Sequence, residues 1–263
     1  MLSISQYVKA ESLEQAYELN QKKNNVILGG MHWIKFMKRN IGTAIDLSDL
    51  GLDTIEETKD CYKIGAMVTL RQIEIHEGLN QLSNQAIRDS VKQIVGVQFR
   101  NMATVGGSIF GRYGFSDVLT IFLALDAKVE LFHRGIISLE EFSMLPQDND
   151  IVVNLIVTKE QTKAVYLAHR NTQTDLPVLT CAVSKKGGNY RVVIGARPKR
   201  AVCFLDTEHI LEQGINEESA AAFGKFIADQ IETGSNIRGS KEYRSILAGV
   251  LTKRGLLGIR HCI

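Results

Sequence analysis

Apolar positions along the chain switch between helical and alternating spacing, and the switches mark the elements. Leu13, Ala16, Tyr17 and Leu19 recur at helical spacing behind Ser12 and Gln15, which imitate a capping box, so a helix is predicted over residues 13–21. Val26-Ile27-Leu28 is a short apolar run that ends in Gly29-Gly30 and reads as a buried strand, and residues 44–47 read as a second. Together they give a small β-α-β beginning. Ile64, Ala66 and Val68 alternate within a predicted strand at 62–69, helices are predicted at 70–77 and 80–94, and residues 117–125 again have helical spacing. A strand is predicted at 128–133. Residues 151–157 form an apolar run broken only by Asn154, the pattern of a buried strand.

Residues 158–163 are polar and aperiodic, and the domain boundary is placed there. Beyond it, strands at 178–183 and 190–194 flank Gly187-Gly188-Asn189, which has the chemistry of a hairpin turn. Amphipathic helices are predicted at 217–231 and 240–253, the latter with Tyr243, Ile246, Leu247, Val250 and Leu251 on one stripe.

Composition narrows the function classes. With 263 residues, 44% hydrophobic and 23% charged, the chain is long enough for one large or two ordinary globular domains. Its net charge is 31 − 29 = +2, without the concentrated basic face of a nucleic-acid binder. The short basic runs at 35–39 and 197–200 read as solvated edges or phosphate neighbours. Cys61, Cys181, Cys203 and Cys262 make no CxxC pair, which argues against an iron–sulfur cluster or structural zinc on this chain and fits a reducing cytoplasm. No signal-like segment opens the sequence and no membrane span is expected.

Two motifs carry candidate chemistry: Leu28-Gly29-Gly30-Met31-His32-Trp33 and Ala103-Thr104-Val105-Gly106-Gly107-Ser108. Each glycine pair is expected to follow a strand-like segment. Glycine permits positive φ and close backbone approach, and successive N–H groups in such a turn form a concavity for anions. Two such turns on adjacent strands can hold a pyrophosphate from both sides, with Thr104 and Ser108 adding hydroxyls. A single glycine pair is more often only a tight turn. Neither pair continues as GxGxxG or as Gly-Lys-Ser/Thr, which excludes the Rossmann and P-loop signatures. Ser116-Asp117 reads as a helix cap whose carboxylate can also face a cofactor. His32 is a candidate phosphate contact, and Trp33 reads as core rather than as a stacking platform.

The ordered set of Val26 to Gly30, Arg100 to Ile109 and Ser116-Asp117 resembles the FAD-binding subunit of molybdopterin dehydrogenases, of the xanthine dehydrogenase and carbon monoxide dehydrogenase medium-chain type. So do Ile64 to Thr69, Gly195 to Ala201 and Tyr243-Arg244. The resemblance covers nearly the whole chain. It implies an α+β fold: a two-subdomain FAD-binding domain of the vanillyl-alcohol-oxidase type, then a C-terminal domain of a three-stranded antiparallel sheet with helices. The domains would be 1–160, with subdomains of about 1–56 and 57–160, and 161–263. It implies FAD contacts from Ile27, Leu28, Gly29, Gly30, Met31, His32 and Trp33, from Ala103, Thr104, Val105, Gly106, Gly107 and Ser108, and from Ser116, Asp117 and Val152. His169 or Arg170 would stand where some relatives place a lysine near the flavin. Two departures are Met31-His32-Trp33, where the family's loop is closer to Gly-Gly-Thr-Asp-Leu, and Ser108, where many relatives have Asn.

The implied activity is electron transfer within a molybdenum hydroxylase. A molybdopterin-binding large subunit oxidises the substrate, a 2Fe-2S small subunit relays the electrons to FAD on this chain, and NAD or another acceptor takes them. No side chain is expected to act as a nucleophile. The alternatives are a stand-alone flavin oxidoreductase and a scaffold subunit that has lost FAD.

Overall fold

A computed structural model describes residues 1–160 and 162–260. Contacts group them into two units that interleave along the chain: Met1–Gln72, Val97–Gly111 and Ala127–Thr158 form the first, and Ile73–Gly96, Arg112–Asp126 and Lys159–Ile263 the second.

The first unit opens with β1 (Ser3–Lys9), α1 (Leu13–Asn20), β2 (Val26–Ile27) and β3 (Asn40–Asp46), whose strands form a parallel sheet in the order β1-β3-β2. The helix starts where the sequence predicts, with the Gln15 N–H donating to Ser12 Oγ at 3.1 Å and Gln15 Oε1 accepting from the Glu11 N–H at 2.7 Å. The central strand β3 buries Ile41, Ala44 and Ile45 completely. The edge strand β1 is exposed along almost its whole length, so no apolar pattern announces it; its ladder with β3 holds it.

A second sheet is antiparallel throughout, with β4 (Ile55–Glu57), β5 (Cys61–Gly65), β6 (Lys128–Leu131), β7 (Gly135–Ser138) and β8 (Val152–Thr158) in the order β4-β5-β8-β6-β7. Its central strand is β8, which explains the near-continuous apolar run there. Ala16, Ile45, Leu47, Leu52, Ile151 and Val153 share one core. The helices of this unit are α2 (Leu70–Ile75), which leads the chain out of it, α5 (Val97–Arg100), α6 (Val105–Phe110) and α8 (Leu139–Met144).

In the second unit, α3 (Glu77–Leu82) and α4 (Ala86–Val91) replace the single helix predicted at 80–94. Asn84 and Gln85 take left-handed φ of 51° and 66° and break it. Asn80 bridges the break, donating to the Glu74 carbonyl at 3.0 Å and accepting from the Arg88 N–H at 3.0 Å. Helix α7 (Asp117–Ala124) is fully buried.

The predicted polar boundary gives way after only a few residues to β9 (Thr162–His169), followed by β10 (Leu179–Lys186), β11 (Asn189–Gly195) and β12 (Val202–Leu205). These form an antiparallel sheet in the order β12-β11-β10-β9, so the expected three-stranded sheet is corrected to four strands. The short β12 is a half-exposed edge joined to β11 from Arg191↔Leu205 to Ile194↔Val202, and it carries no alternation to read.

Helices α9 (Glu217–Gln230) and α10 (Lys241–Arg260) complete this unit. The second outruns its predicted end at 253 because Gly255 and Gly258 are contact points rather than stops. A Cβ at Gly255 would lie 2.5 Å from Val183 Cγ2, and one at Gly258 3.3 Å from Val165 Cγ2. Close packing outweighs the roughly 1 kcal/mol that glycine costs inside a helix. The predicted stripe on α10 is split, with Leu247 and Leu251 buried and Tyr243, Ile246 and Val250 exposed. Among the described residues no helix is long and apolar enough to cross a membrane, and no group of three or more His, Cys, Asp or Glu is placed to hold a metal ion.

Arg244, fully buried on α10, ties the loops of this unit together. Its Nε donates to the Val178 carbonyl at 2.9 Å, NH1 to the carbonyls of Gly234 and Gly239, and NH2 to Asn236 Oδ1 at 2.6 Å. Arg244→Met would leave those four acceptors without their donor. The expected loss is about 3–5 kcal/mol of unfolding free energy, the range seen when one partner of a buried charged network is removed, measured by urea denaturation.

Candidate functional site

In the first unit the two glycine motifs meet. Gly29-Gly30 follow β2, as the sequence predicts. The expectation that the second pair also follows a strand is corrected: Gly106 and Gly107 lie in the first turn of α6, after α5 and a turn. Thr104 causes this by capping the helix, its Oγ1 accepting from the Gly107 N–H at 3.1 Å.

The four glycines interlock. A Cβ at Gly29 would meet Thr104 Oγ1 at 3.1 Å, and one at Gly107 would meet the Gly29 carbonyl oxygen at 3.0 Å. A Cβ at Gly106 would lie 2.7 Å from the Ala66 carbonyl oxygen. Gly30 has φ +79°, and a Cβ there would lie 2.1 Å from the Met102 carbonyl oxygen. Packing alone therefore demands these glycines, whatever they bind.

The pointer to a ligand is the hydrogen bonding of the first loop. The Leu28 N–H donates to the Ile45 carbonyl at 2.8 Å, but among the described residues no acceptor is found for the next four N–H groups, Gly29 to His32. Gly30 and then Met31, at φ 59°, turn the chain through this stretch. Successive free N–H groups on a loop of this kind make a cradle for an anion. Thr104 keeps its own hydroxyl proton available, whereas Ser108 Oγ donates back to the Thr104 carbonyl at 2.9 Å.

His32 stacks on Phe99 with ring centroids 3.7 Å apart, and its Nε2 lies 3.1 Å from the Phe99 carbonyl oxygen. Its Nδ1 is buried and has no partner among the described residues. Burial holds its pKa below the ordinary histidine value, Lys35 acts in the same direction, and the Phe99 carbonyl opposes both. Phe99 was not singled out in the sequence, and only its place before the second motif could have drawn attention to it. Trp33 corrects its core expectation. It is 45% exposed, because the turn at Gly30 and Met31 leads the following segment outward. Val152 is buried at the start of β8, and Ile27, Leu28, Ala103 and Val105 support the two loops from strand, turn and helix.

The remaining candidates lie in the second unit, which brings Asp117 and Arg170 together. Ser116 caps α7, its Oγ accepting from the Leu119 N–H at 3.1 Å. Asp117 Oδ1 accepts from both the Tyr166 hydroxyl and Arg170 NH2, with the side chains of Asp117 and Arg170 only 6% and 5% exposed. Arg170 NH1 donates to the Asp175 carbonyl at 2.5 Å, while its buried Nε has no partner among the described residues. Asp175 pairs with Arg238 at 3.0 Å. His169 does not join this group; its Nε2 lies 3.1 Å from the Tyr243 hydroxyl. Tyr166 was missed because the strand carrying it begins in the stretch taken for a linker. A cavity of about 250 Å³ lies close by in the same unit, lined by Phe115, Leu176, Pro177, Pro198, Lys199 and Arg238 among others. Burial pushes the Cys181 thiol up to about 12, so it is no nucleophile.

Comparison with known proteins shows the family and the fold. Residues 3–159 match the family described as the FAD binding domain in molybdopterin dehydrogenase, and residues 163–259 the CO dehydrogenase flavoprotein C-terminal domain. The chain is 27% identical over 253 residues to the uncharacterized protein YgfM of Escherichia coli K12, covering 94% of this chain and 93% of that protein. It is 25% identical over 280 residues to the xanthine dehydrogenase FAD-binding subunit of Escherichia coli O157:H7, covering 97% and 95%. A solved carbon monoxide dehydrogenase chain from Hydrogenophaga pseudoflava shares the fold, with a TM-score of 0.87 and 22% identity over 97% of this chain and 96% of that one.

Burial raises the Asp117 carboxyl to about 6, although Arg170 and the Tyr166 hydroxyl pull it down. The folded state therefore binds a proton more tightly than the unfolded chain between about pH 4 and pH 6, and stability contributed by this group falls as pH rises through that window. Asp117→Asn removes the titration. The stability difference, wild type minus Asp117→Asn, is expected to drop by up to about 3 kcal/mol from pH 4 to pH 7, read from denaturation curves at each pH.

Proposed function

We infer the function of this chain from its family: it belongs to the FAD-binding family of the molybdopterin dehydrogenases. It is an oxidoreductase subunit, and FAD is its cofactor. The residues present fit that cofactor. The observation that carries the reading is the run of four N–H groups from Gly29 to His32 without acceptors among the described residues, on a loop interlocked with a second glycine pair. Diphosphate oxygens are the acceptors that such a run lacks.

Gly29 to Trp33, with Thr104 and its glycines opposite, would hold the pyrophosphate, and Val152 would pass near the ring. For Ser116, Asp117, His169 and Arg170 the proposed contact rests on the family resemblance alone. The same resemblance assigns the vanillyl-alcohol-oxidase type of FAD domain to residues 1–160 and a separate domain to 161–263.

Within this reading the chain is the electron-transfer subunit of a molybdenum hydroxylase, working with a molybdopterin-binding large subunit and a 2Fe-2S small subunit. When bound, the flavin would supply the redox chemistry that links the 2Fe-2S small subunit to NAD or another acceptor. The protein's own part is to bind, orient and shield. The glycine loops present main-chain donors at fixed positions, and no titrating side chain is asked to move a proton to a substrate.

The purified chain, incubated with FAD and freed of excess ligand, is expected to keep one flavin per chain by its visible absorption bands. Gly107→Trp would fill the space between the loops and is expected to weaken FAD binding about a hundredfold or more, roughly 3 kcal/mol, with folding checked by circular dichroism. A chain that retains no flavin either alone or co-purified with its partners would sink the reading in favour of a scaffold.

A further inference from the structure

His32 stands where the family's loop more often carries a carboxylate, and its surroundings fix its protonation. Nε2 faces a carbonyl oxygen that can only accept, at 3.1 Å from Phe99, so the proton of the neutral ring sits on Nε2. That leaves Nδ1 as a bare lone pair, buried and partnerless. A neutral ring with its proton on Nδ1 would set two acceptors against each other at Phe99. The charged group that acts on the ring is cationic: Lys35 follows on the same segment and disfavours protonation. Among the described residues no carboxylate acts on the ring. Without an anion the imidazole is therefore held neutral, on the loop whose four N–H groups await one.

We propose that His32 is a proton-linked ligand of the cofactor's pyrophosphate, taking up one proton at Nδ1 as the phosphate binds, so that FAD affinity falls as pH rises. This rests on the cradle described above. The balance is simple: one solvent proton adds to Nδ1, the new N–H donates to a phosphate oxygen, and the pyrophosphate keeps its charge. An unprotonated Nδ1 would instead point a lone pair at an anion. The sign follows from linkage: bound phosphate raises the histidine pKa above its value in the free protein, and between the two values each unit of pH weakens binding by up to about tenfold. Outside that window affinity is flat. The loop's main-chain donors supply binding that does not depend on pH, and His32 adds an increment that does.

The test is a titration of the apoprotein with FAD at several pH values from about 6 to 8.5, the window around an ordinary histidine pKa, followed by flavin fluorescence. Calorimetry in two buffers of different ionisation heat counts the protons. The wild type should weaken several-fold per pH unit and take up close to one proton on binding near neutrality. His32→Asn, whose amide donates at any pH, and His32→Phe should both give flat profiles, with the Asn variant binding more tightly than the Phe variant. The proton count needs no variant, so it decides the matter even if a substitution fails to fold. Binding with a flat wild-type profile and no proton uptake overturns the role of His32 alone. A slope that survives in both variants does the same. Absence of FAD binding at every pH overturns the cradle, and this inference with it.

Discussion

Two stretches of main chain approach each other more closely than side chains allow, and the first unit is arranged around that approach. At Gly30 a single added carbon would lie 2.1 Å from the Met102 carbonyl oxygen, and Gly29 and Gly107 stand almost backbone to backbone. The approach requires β2 to end where it does, α6 to be capped by Thr104, and Met31 to accept a left-handed φ that costs a non-glycine residue about 1–2 kcal/mol. The same turn holds four N–H groups for which no acceptor is found among the described residues. What lets the loops interlock here also bares the donors.

The second unit meets a different constraint. Its loops between strands and helices carry carbonyls that no ladder satisfies, and guanidinium groups satisfy them. Arg244 gathers acceptors from residues 178, 234, 236 and 239, and Arg170 joins Asp117 at the head of α7 to the carbonyl of Asp175, whose carboxylate in turn holds Arg238. Arginine suits this role because its planar fork donates in several fixed directions and stays charged when buried. The arrangement makes this unit dependent on a few buried cations, and it gives the 250 Å³ cavity a lining in which Arg238 already has a counter-charge.

The residues around the two glycine motifs share a chemical character. They are donors, caps and packing contacts rather than nucleophiles or acid–base pairs, and the buried thiol of Cys181 is held protonated. That is the equipment of a protein that positions a reactive cofactor. His32 is the exception, a titratable group whose charge is disfavoured by burial and by Lys35, and it departs from the family's usual residue.

Much of the architecture was legible from apolar spacing. Helix α1 with its Ser12 cap, α7, α9, the central strand β8 and the β10–β11 hairpin are set by local pattern and turn chemistry, and the two glycine motifs could be named as partners before any fold was known. The spacing could not show β1 or β12, which are exposed edges stabilised by ladders to distant strands, nor the left-handed break at Asn84 and Gln85. It stopped α10 short at glycines whose purpose is contact with Val183 and Val165. It also placed Gly106-Gly107 after a strand and Trp33 in the core. A sequence by itself determines what is local: which faces are apolar, where a helix can start, where the chain can turn. Only the tertiary structure decided that Gly29 faces Gly107, that Tyr166 and Arg170 converge on Asp117, and that Phe99 fixes the tautomer of His32. Each of those depends on segments dozens of residues apart being brought to contact distance, and nothing in the spacing of either segment encodes the other.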